Sequence, residues 1–340
     1  MRIGLHPRGN VRPIELDSLI KVRDLGKGAV LLSGASGMLG SAIAKALEQQ
    51  GTTTLRLVRR EIWTPYEVPW KPSAKELDVS RLEGITAAIH LSGANVSSRR
   101  WTPAYKQEMT ESRVATTRFL AESLARLKNP PAILISASAV GFYGNRGDES
   151  LDEDSPAGKG YFPYLCTAWE AATRPAEEAG TRVVHLRFGM VVGRDGGAMA
   201  RLVPLFKLGL GGRLGNGRQW MSWISEADAV AATLFALKSP GSANLSPDSA
   251  SHPDAGLSGA VNATAPQPVT NSEFTRELGL ILHRPTFLTA PAFALRLALG
   301  EMADEALLSS TRALPKRLLD AGFVFTHLTI HQALTAALTP

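Results

Sequence analysis

Three glycines, Gly34, Gly37 and Gly40, stand three residues apart at the end of an apolar run in GAVLLSGASGMLG, and SAIAKALEQQG follows with a helical period. A buried strand, a tight glycine turn and a helix whose N-terminus faces outward would produce this pattern. Backbone N–H groups at such a helix start lack partners, and the helix dipole favours negative charge there, so the turn can bind a phosphate or pyrophosphate. Gly34 can take the backbone angles of the turn, Gly37 lets the main chain approach a pyrophosphate, and Gly40 lets the helix pack closely on the strand. Ser36, Met38 and Leu39 complete the segment expected to line the ligand. The spacing is not G-x-G-x-x-G, and no Lys follows in the G-x-x-x-x-G-K-[ST] pattern, which argues against a P-loop nucleotide hydrolase. A strand-to-helix turn that merely happens to be glycine-rich is the competing reading.

Further positions follow in order after the turn. Strand Thr54–Val58 ends in Arg59 and Arg60, with Glu61 beside them. In nicotinamide-binding folds an acidic residue here holds the ribose of NAD, whereas Arg accepts the 2′-phosphate of NADP. The pair therefore favours NADP over NAD, against the alternative of a solvated basic strand end. Asp78, in KELDVS, precedes the next strand and could reach the adenine or cap a turn. Leu91, Ser92 and Gly93 end the AAIHLSG strand beside the expected crevice, where a glycine lets the nicotinamide side lie close to the backbone.

The elements that must position these residues alternate along the chain. Strand-like runs are Val30–Ser33, Thr54–Val58, Ala87–Ser92, Ala132–Ala137 and Arg182–Val192; helix-like runs are Met38–Gln50, Pro103–Leu127 and Tyr161–Ala179. Such repetition predicts an α/β fold, a Rossmann-type doubly wound parallel sheet over residues 28–193. Residues 194–340 read as a smaller, mainly helical substrate lobe: a helix over Ala198–Leu208, one capped by Ser225 with Asp228, one from Asn271, and a short FVFT strand near the end. Residues 1–27 look appended, and the Ser/Pro/Asp-rich stretch 241–256 reads as a mobile surface loop.

Composition narrows the function classes. The 340 residues are 44% hydrophobic and 20% charged with a net charge of +6, ordinary for a globular protein able to bury a core. Lys and Arg are scattered, so anionic small molecules explain the charge better than nucleic acid does. A single cysteine, Cys166, excludes an internal disulfide, and no Cys/His spacing suggests a metal site. No secretory signal and no membrane span are evident, so a cytoplasmic protein is expected.

The turn GASGMLG, the strand AAIHLSG, and the segments LISASAVGFYG, LRFGMVVG and WISEADAV resemble extended short-chain dehydrogenase/reductases of the epimerase/dehydratase kind. More narrowly, RWTPAYKQEMTESR, DEDSPAG, LCTAWE, GNGRQWMSWI and RALPKRLLDAGFVF resemble the atypical YfcH-type epimerase family, whose C-terminal extension has no known function. The resemblance covers about Val30 to Leu338 and leaves out residues 1–27 and 241–256. It implies a nicotinamide cofactor, hydride transfer at C4 of the nicotinamide and a small-molecule substrate. By analogy with related enzymes, the two long helices could build a homodimer.

The chain departs from the family where chemistry is expected. The usual set is an Asn, a Ser or Thr, and a Tyr-x-x-x-Lys pair in which Tyr is the general acid/base and Lys lowers its pKa. By position Arg113 replaces the Asn, Ser138 keeps the Ser, and Phe162 and Cys166 replace Tyr and Lys. Even the His usual in the WIHxxD segment is Ser225. The expected reaction centre is Tyr143 or Tyr161 with Ser138 and Arg113, unless both Tyr residues only shape a pocket. Glu108, five residues before Arg113, could face the cofactor or be an ordinary exposed helix charge. Arg213, Arg218, Trp220 and Trp223 suit an anionic or sugar-like substrate by charge pairing and stacking, or else anchor the lobe. Two functions follow: an NADP-linked oxidoreductase or epimerase-like enzyme with a non-standard acid/base set, or a catalytically silent NADP-binding sensor.

Overall fold

The computed structural model describes residues 28–194, 196–239 and 256–339, so the appended segment 1–27 and all of the 241–256 loop except Gly256 lie outside the described residues. In chain order the sheet-forming strands are β1 (Val30–Ser33), β2 (Thr54–Val58), β3 (Glu67–Lys71), β4 (Glu76–Leu77), β5 (Ala87–His90), β6 (Ile133–Ala139), β7 (Ser150–Leu151), β8 (Arg182–Phe188) and β9 (Met190–Val192). The main sheet runs Gly259–Ala263, β8, β6, β5, β1, β2, β3, β4, and every pairing but β3–β4 is parallel. Its strand order reverses between β1 and β5, the switch point at which an open parallel sheet holds its ligand.

Alternating side chains divide the core. Val30 and Leu32 of β1 join one buried cluster with helices α1 (Met38–Gln49) and α7 (Glu226–Lys238), while Leu31 joins the other with α3 (Val114–Ala125) and α5 (Arg174–Glu178). This is the Rossmann-type α/β sheet covered on both faces. A separate core of Phe206, Trp223, Phe274, Leu278, Ile330 and Leu334 holds the helical C-terminal region, including α6 (Met199–Lys207) and α8 (Asn271–Ile281). Among the described residues no helix is long and apolar enough to cross a membrane.

Several expected elements differ. The run Pro103–Leu127 is two helices, α2 (Pro103–Glu111) and α3, broken where Ser112 Oγ donates to the Met109 carbonyl (3.0 Å) and accepts from Ala94 N–H (3.0 Å). A serine that bonds backbone in this way competes with the helix. The run Tyr161–Ala179 is α4 (Tyr161–Ala171) followed by α5, because Pro175 lacks an N–H and is tolerated only in a first turn. Arg182–Val192 breaks at Gly189, and β9 pairs instead with Trp223–Ser225. FVFT is not a strand: Phe323 and Phe325 are buried from a loop, and Thr326 and His327 N–H groups donate to Asp228 at 2.7 and 3.0 Å.

A buried histidine ties the switch point together. His90 Nδ1 lies 2.6 Å from Ser33 Oγ and Nε2 2.9 Å from Thr117 Oγ1, which also accepts from Trp169 Nε1 at 2.9 Å. This chain links β1, β5, α3 and α4. Burial pulls His90 from its ordinary 6.5 down to about 4. Between those values the unfolded chain takes up a proton that the folded chain refuses, so stability present above pH 6.5 is lost as pH falls, by about 3 kcal/mol at the acid end. Urea denaturation from about pH 7 to about pH 4.5 should show this loss in the wild type and a smaller one in His90→Gln.

Candidate functional site

The glycine turn is built by backbone contact. Gly34 has φ +74°, and a Cβ there would lie 2.9 Å from the Leu91 carbonyl carbon; a Cβ on Gly40 would run into the Gly34 carbonyl oxygen. The exits of β1 and β5 therefore touch, and Leu91 and Ser92 wall the crevice. Gly37 is different. It is exposed, and a Cβ would meet only the Gly34 oxygen, at 3.4 Å. Gly37 is also the N-cap of α1, with no side-chain cap bond and no acidic residue in the first turn. An exposed, uncapped helix start next to open space fits a bound pyrophosphate. Ser36 is exposed beside it, Leu39 packs on the sheet's core, and Met38 packs under Gly193 and Gly196.

The two arginines after β2 are not equivalent. Arg60 grips Glu67 through both Nη atoms (3.0 and 2.6 Å) and lies 3.5 Å from the Trp63 ring centroid. The Arg60 hydrogen bonds hold the Glu67 carboxyl below its usual range despite burial. Arg59 is exposed and makes no hydrogen bond or ion pair with the described residues. Asp78 is a cap: its Oδ1 accepts from Ser80 N–H (3.1 Å) and Ser80 Oγ (2.6 Å).

At the other end of the crevice Gly93 is exposed, and a Cβ there would sit 3.2 Å from the Arg113 guanidinium carbon. Arg113 donates to the Ala94 (2.9 Å) and Met109 (3.2 Å) carbonyls and lies over the Trp169 ring. Its charge is felt at Cys166, the position of the absent Lys, yet burial pushes that thiol up to about 12. Glu108 is exposed and 3.5 Å from Arg99. Phe162 packs on Gly141 and edge-on against Trp101.

Ser138 leads to a network the sequence did not reveal. Its hydroxyl donates to Glu170 Oε1 at 2.6 Å, and Glu170 is held by Arg187 through Nε and Nη2, both at 2.8 Å. Arg187 Nη1 also donates to Tyr143 Oη (3.1 Å), which donates to Asn262 Oδ1 (2.8 Å). Tyr143 is fully buried, and burial pushes its phenol up to about 12. It is a sealed member of the network rather than a group facing an open cleft, which corrects the expectation that placed it beside substrate. Glu170 lies one helical turn after Cys166, and Arg187 interrupts an apolar strand. Two opposite charges in apolar elements were the available signal.

On the substrate side, Tyr161 donates from Oη to the Lys106 carbonyl (2.8 Å) and stays half-buried. Arg218 is exposed with its side chain unpaired among the described residues; Arg213 donates to Thr289 Oγ1 (3.0 Å). Trp220 donates to Asp148 (2.8 Å) under Arg312, whose guanidinium carbon is 4.4 Å from the ring centroid. Trp223 is wholly buried in the C-terminal core, where it anchors the lobe. A residue not foreseen, Glu305, accepts from the Tyr161 and Phe162 N–H groups (3.2 and 3.1 Å), so the C-terminal extension caps α4 itself.

A parallel sheet with an open glycine turn at its switch point defines a nucleotide-binding α/β protein of the Rossmann type. The chain belongs to the NAD dependent epimerase/dehydratase family, whose model matches residues 30–246, and residues 290–337 match a domain of unknown function, DUF1731. It is 45% identical over 313 residues to the epimerase family protein ML0860 of Mycobacterium leprae, covering 92% of this chain and 96% of that protein. It superposes on the human epimerase family protein SDR39U1, crystallised with NADPH, with a TM-score of 0.80 at 30% identity, covering 91% of this chain and 98% of that one. The fold is also that of MoeE5, solved with UDP-glucuronic acid and NAD (TM-score 0.68, 20% identity, 91% and 97% covered).

Removing one partner of a buried ion pair strands the other charge, at a cost of about 3–5 kcal/mol. Glu170→Ala should therefore lower stability by about that much in urea denaturation, and Glu170→Gln, which keeps an acceptor for Arg187, by clearly less.

Proposed function

We propose that this protein binds NADP(H) in the crevice between β1 and β5, and that it is an oxidoreductase or epimerase-like enzyme working without the Tyr-x-x-x-Lys pair. The observation that carries this reading is the open Gly37 cradle with an unpaired Arg59 beyond the neighbouring strand. The α1 start, with Ser36 and Gly37, would hold the pyrophosphate, Arg59 the 2′-phosphate, and Leu91–Gly93 the nicotinamide side. Arg60 shapes the Arg59 site from its pair with Glu67. When bound, the cofactor supplies or accepts a hydride at nicotinamide C4. The NADPH in the human relative supports the same cofactor for this chain.

The chain's own groups then act as follows. Ser138 donates its hydrogen bond to Glu170, so toward a substrate hydroxyl its oxygen would act as the acceptor. Arg187 grips both Glu170 oxygens and thereby holds that orientation. Arg113 supplies a fixed positive charge near the reacting oxygen, the electrostatic part of the missing Lys. Tyr161, Trp220 and Arg218 would meet an anionic or sugar-like substrate, a class supported by the UDP-glucuronic acid bound to MoeE5. A cytoplasmic location suits the lone, buried, reduced Cys166.

The second reading, a silent NADP(H) sensor, is favoured by Phe162 in the acid position and by the sealed Tyr143. A turnover screen over carbonyls and sugar nucleotides separates the two, with tight NADPH binding and no turnover assigning the sensor. For either, a charge-assisted phosphate contact is worth about 1.5–3 kcal/mol, or about 10- to 100-fold in affinity. Fluorescence titration of Arg59→Ala should show that loss for NADPH and little change for NADH. Equal NADPH affinity in both proteins would remove Arg59 from the site.

A further inference from the structure

The helix α9 (Ala292–Leu299) opens the domain of unknown function and buries none of its residues, although AFALRLAL is apolar at every position but Arg296. Phe293 and Leu297, one turn apart on one face, are 73% and 77% exposed. The strand Leu288–Ala290 leads into α9 and pairs in parallel with Gly212–Leu214; at its start Phe287 is 92% exposed, and Leu288 is half exposed. Leu208, 73% exposed, and Leu210 lead into the partner strand. One continuous pair of segments thus presents bulky apolar side chains to water. Isolated exposed apolar residues need no explanation, but a run of this kind marks an interaction surface.

The cations around it that lack an ion-pair partner are not matched by free acids. Arg213 donates only to Thr289 Oγ1, on the ribbon itself, and Arg284 donates to the Lys207 and His283 carbonyls (2.8 and 3.3 Å). Lys207, Arg213 and Arg284 have no carboxylate partner among the described residues. The nearby acids are taken: Asp304 by Arg296 at 2.9 Å and Glu301 by Lys106 at 2.7 Å. A second copy docked through this patch about a two-fold axis would bring those cations against their own equivalents, which opposes that partner. Exposed Phe and Leu rimmed by unpaired Lys and Arg complement an anionic lipid surface, where the rings and alkyl chains enter the acyl boundary and the cations meet the headgroups.

We infer that α9 and the ribbon before it dock the protein peripherally on anionic membrane surfaces. Arg100 Nη1 donates to the Leu297 carbonyl at 3.1 Å, so the docking helix is tied to the loop after β5 at the crevice. The contact is reversible, because one short apolar face with a few cations is a weak anchor.

The full chain is spun with vesicles of phosphatidylcholine alone or of equimolar phosphatidylcholine and phosphatidylglycerol. It should sediment with the anionic vesicles only, and less so as salt is raised. The F293D/L297D variant should partition about ten-fold less, and K207E/R284E should lose both binding and salt dependence, each with an unchanged melting temperature and NADPH affinity. Wild-type protein left in the supernatant with anionic vesicles, or equal partition of the F293D/L297D variant, would overturn the inference. So would a dimer in sedimentation velocity that F293D/L297D abolishes, since the patch would then belong to a second copy.

Discussion

The architecture depends on how closely α1 comes to β1. Gly40 sits on the Gly34 carbonyl with no room for a side chain, and Gly34 in turn sits on the backbone leaving β5. Two missing Cβ atoms let three backbone segments meet, and the helix start is thereby pointed at the crevice. Gly37, between them, is under no such pressure from the protein. Its emptiness is the one part of the turn that the fold does not need, so it is the part a ligand can claim.

The far end of the crevice is governed by a different constraint, two opposite charges shut away from water. Glu170 and Arg187 are tolerable there because their geometry is bidentate and because Ser138 and Tyr143 satisfy remaining positions. The same bonds fix which way the Ser138 proton points. Where related enzymes present a phenol and an ammonium, this protein presents Phe162, a neutral Cys166 and the Arg113 guanidinium held on backbone carbonyls.

What could be read from the chain was local. β1 and β2 have the bounds their strand-like runs predict, and the glycine turn declares itself because the Gly40–Gly34 contact lies within seven residues. The helix breaks at Ser112 and Pro175 were also local but weaker than the apolar period that ran through them. The Ser138–Glu170–Arg187 network was not legible, since it needs the β6–β8 register that sets Ser138 beside Arg187 and the seating of α4 above them. Likewise nothing in GNGRQWMSW separates Trp223, which fills a core, from Trp220, which does not. Arg59 and Arg60 look alike in sequence; only Glu67, on a strand that a proline disguised, makes one a structural pair and leaves the other free.

The central claim is that the open face of Gly37 is where the dinucleotide lies. Gly37 has φ −78° and ψ 165°, extended backbone that valine adopts, and its added atoms would meet no protein closer than 3.4 Å at Cβ. An NADPH fluorescence titration of Gly37→Val, alongside its melting temperature, puts this to the test. The Gly37→Val protein should melt within a few degrees of the wild type and should no longer bind NADPH saturably. Wild-type NADPH affinity in that variant would contradict it.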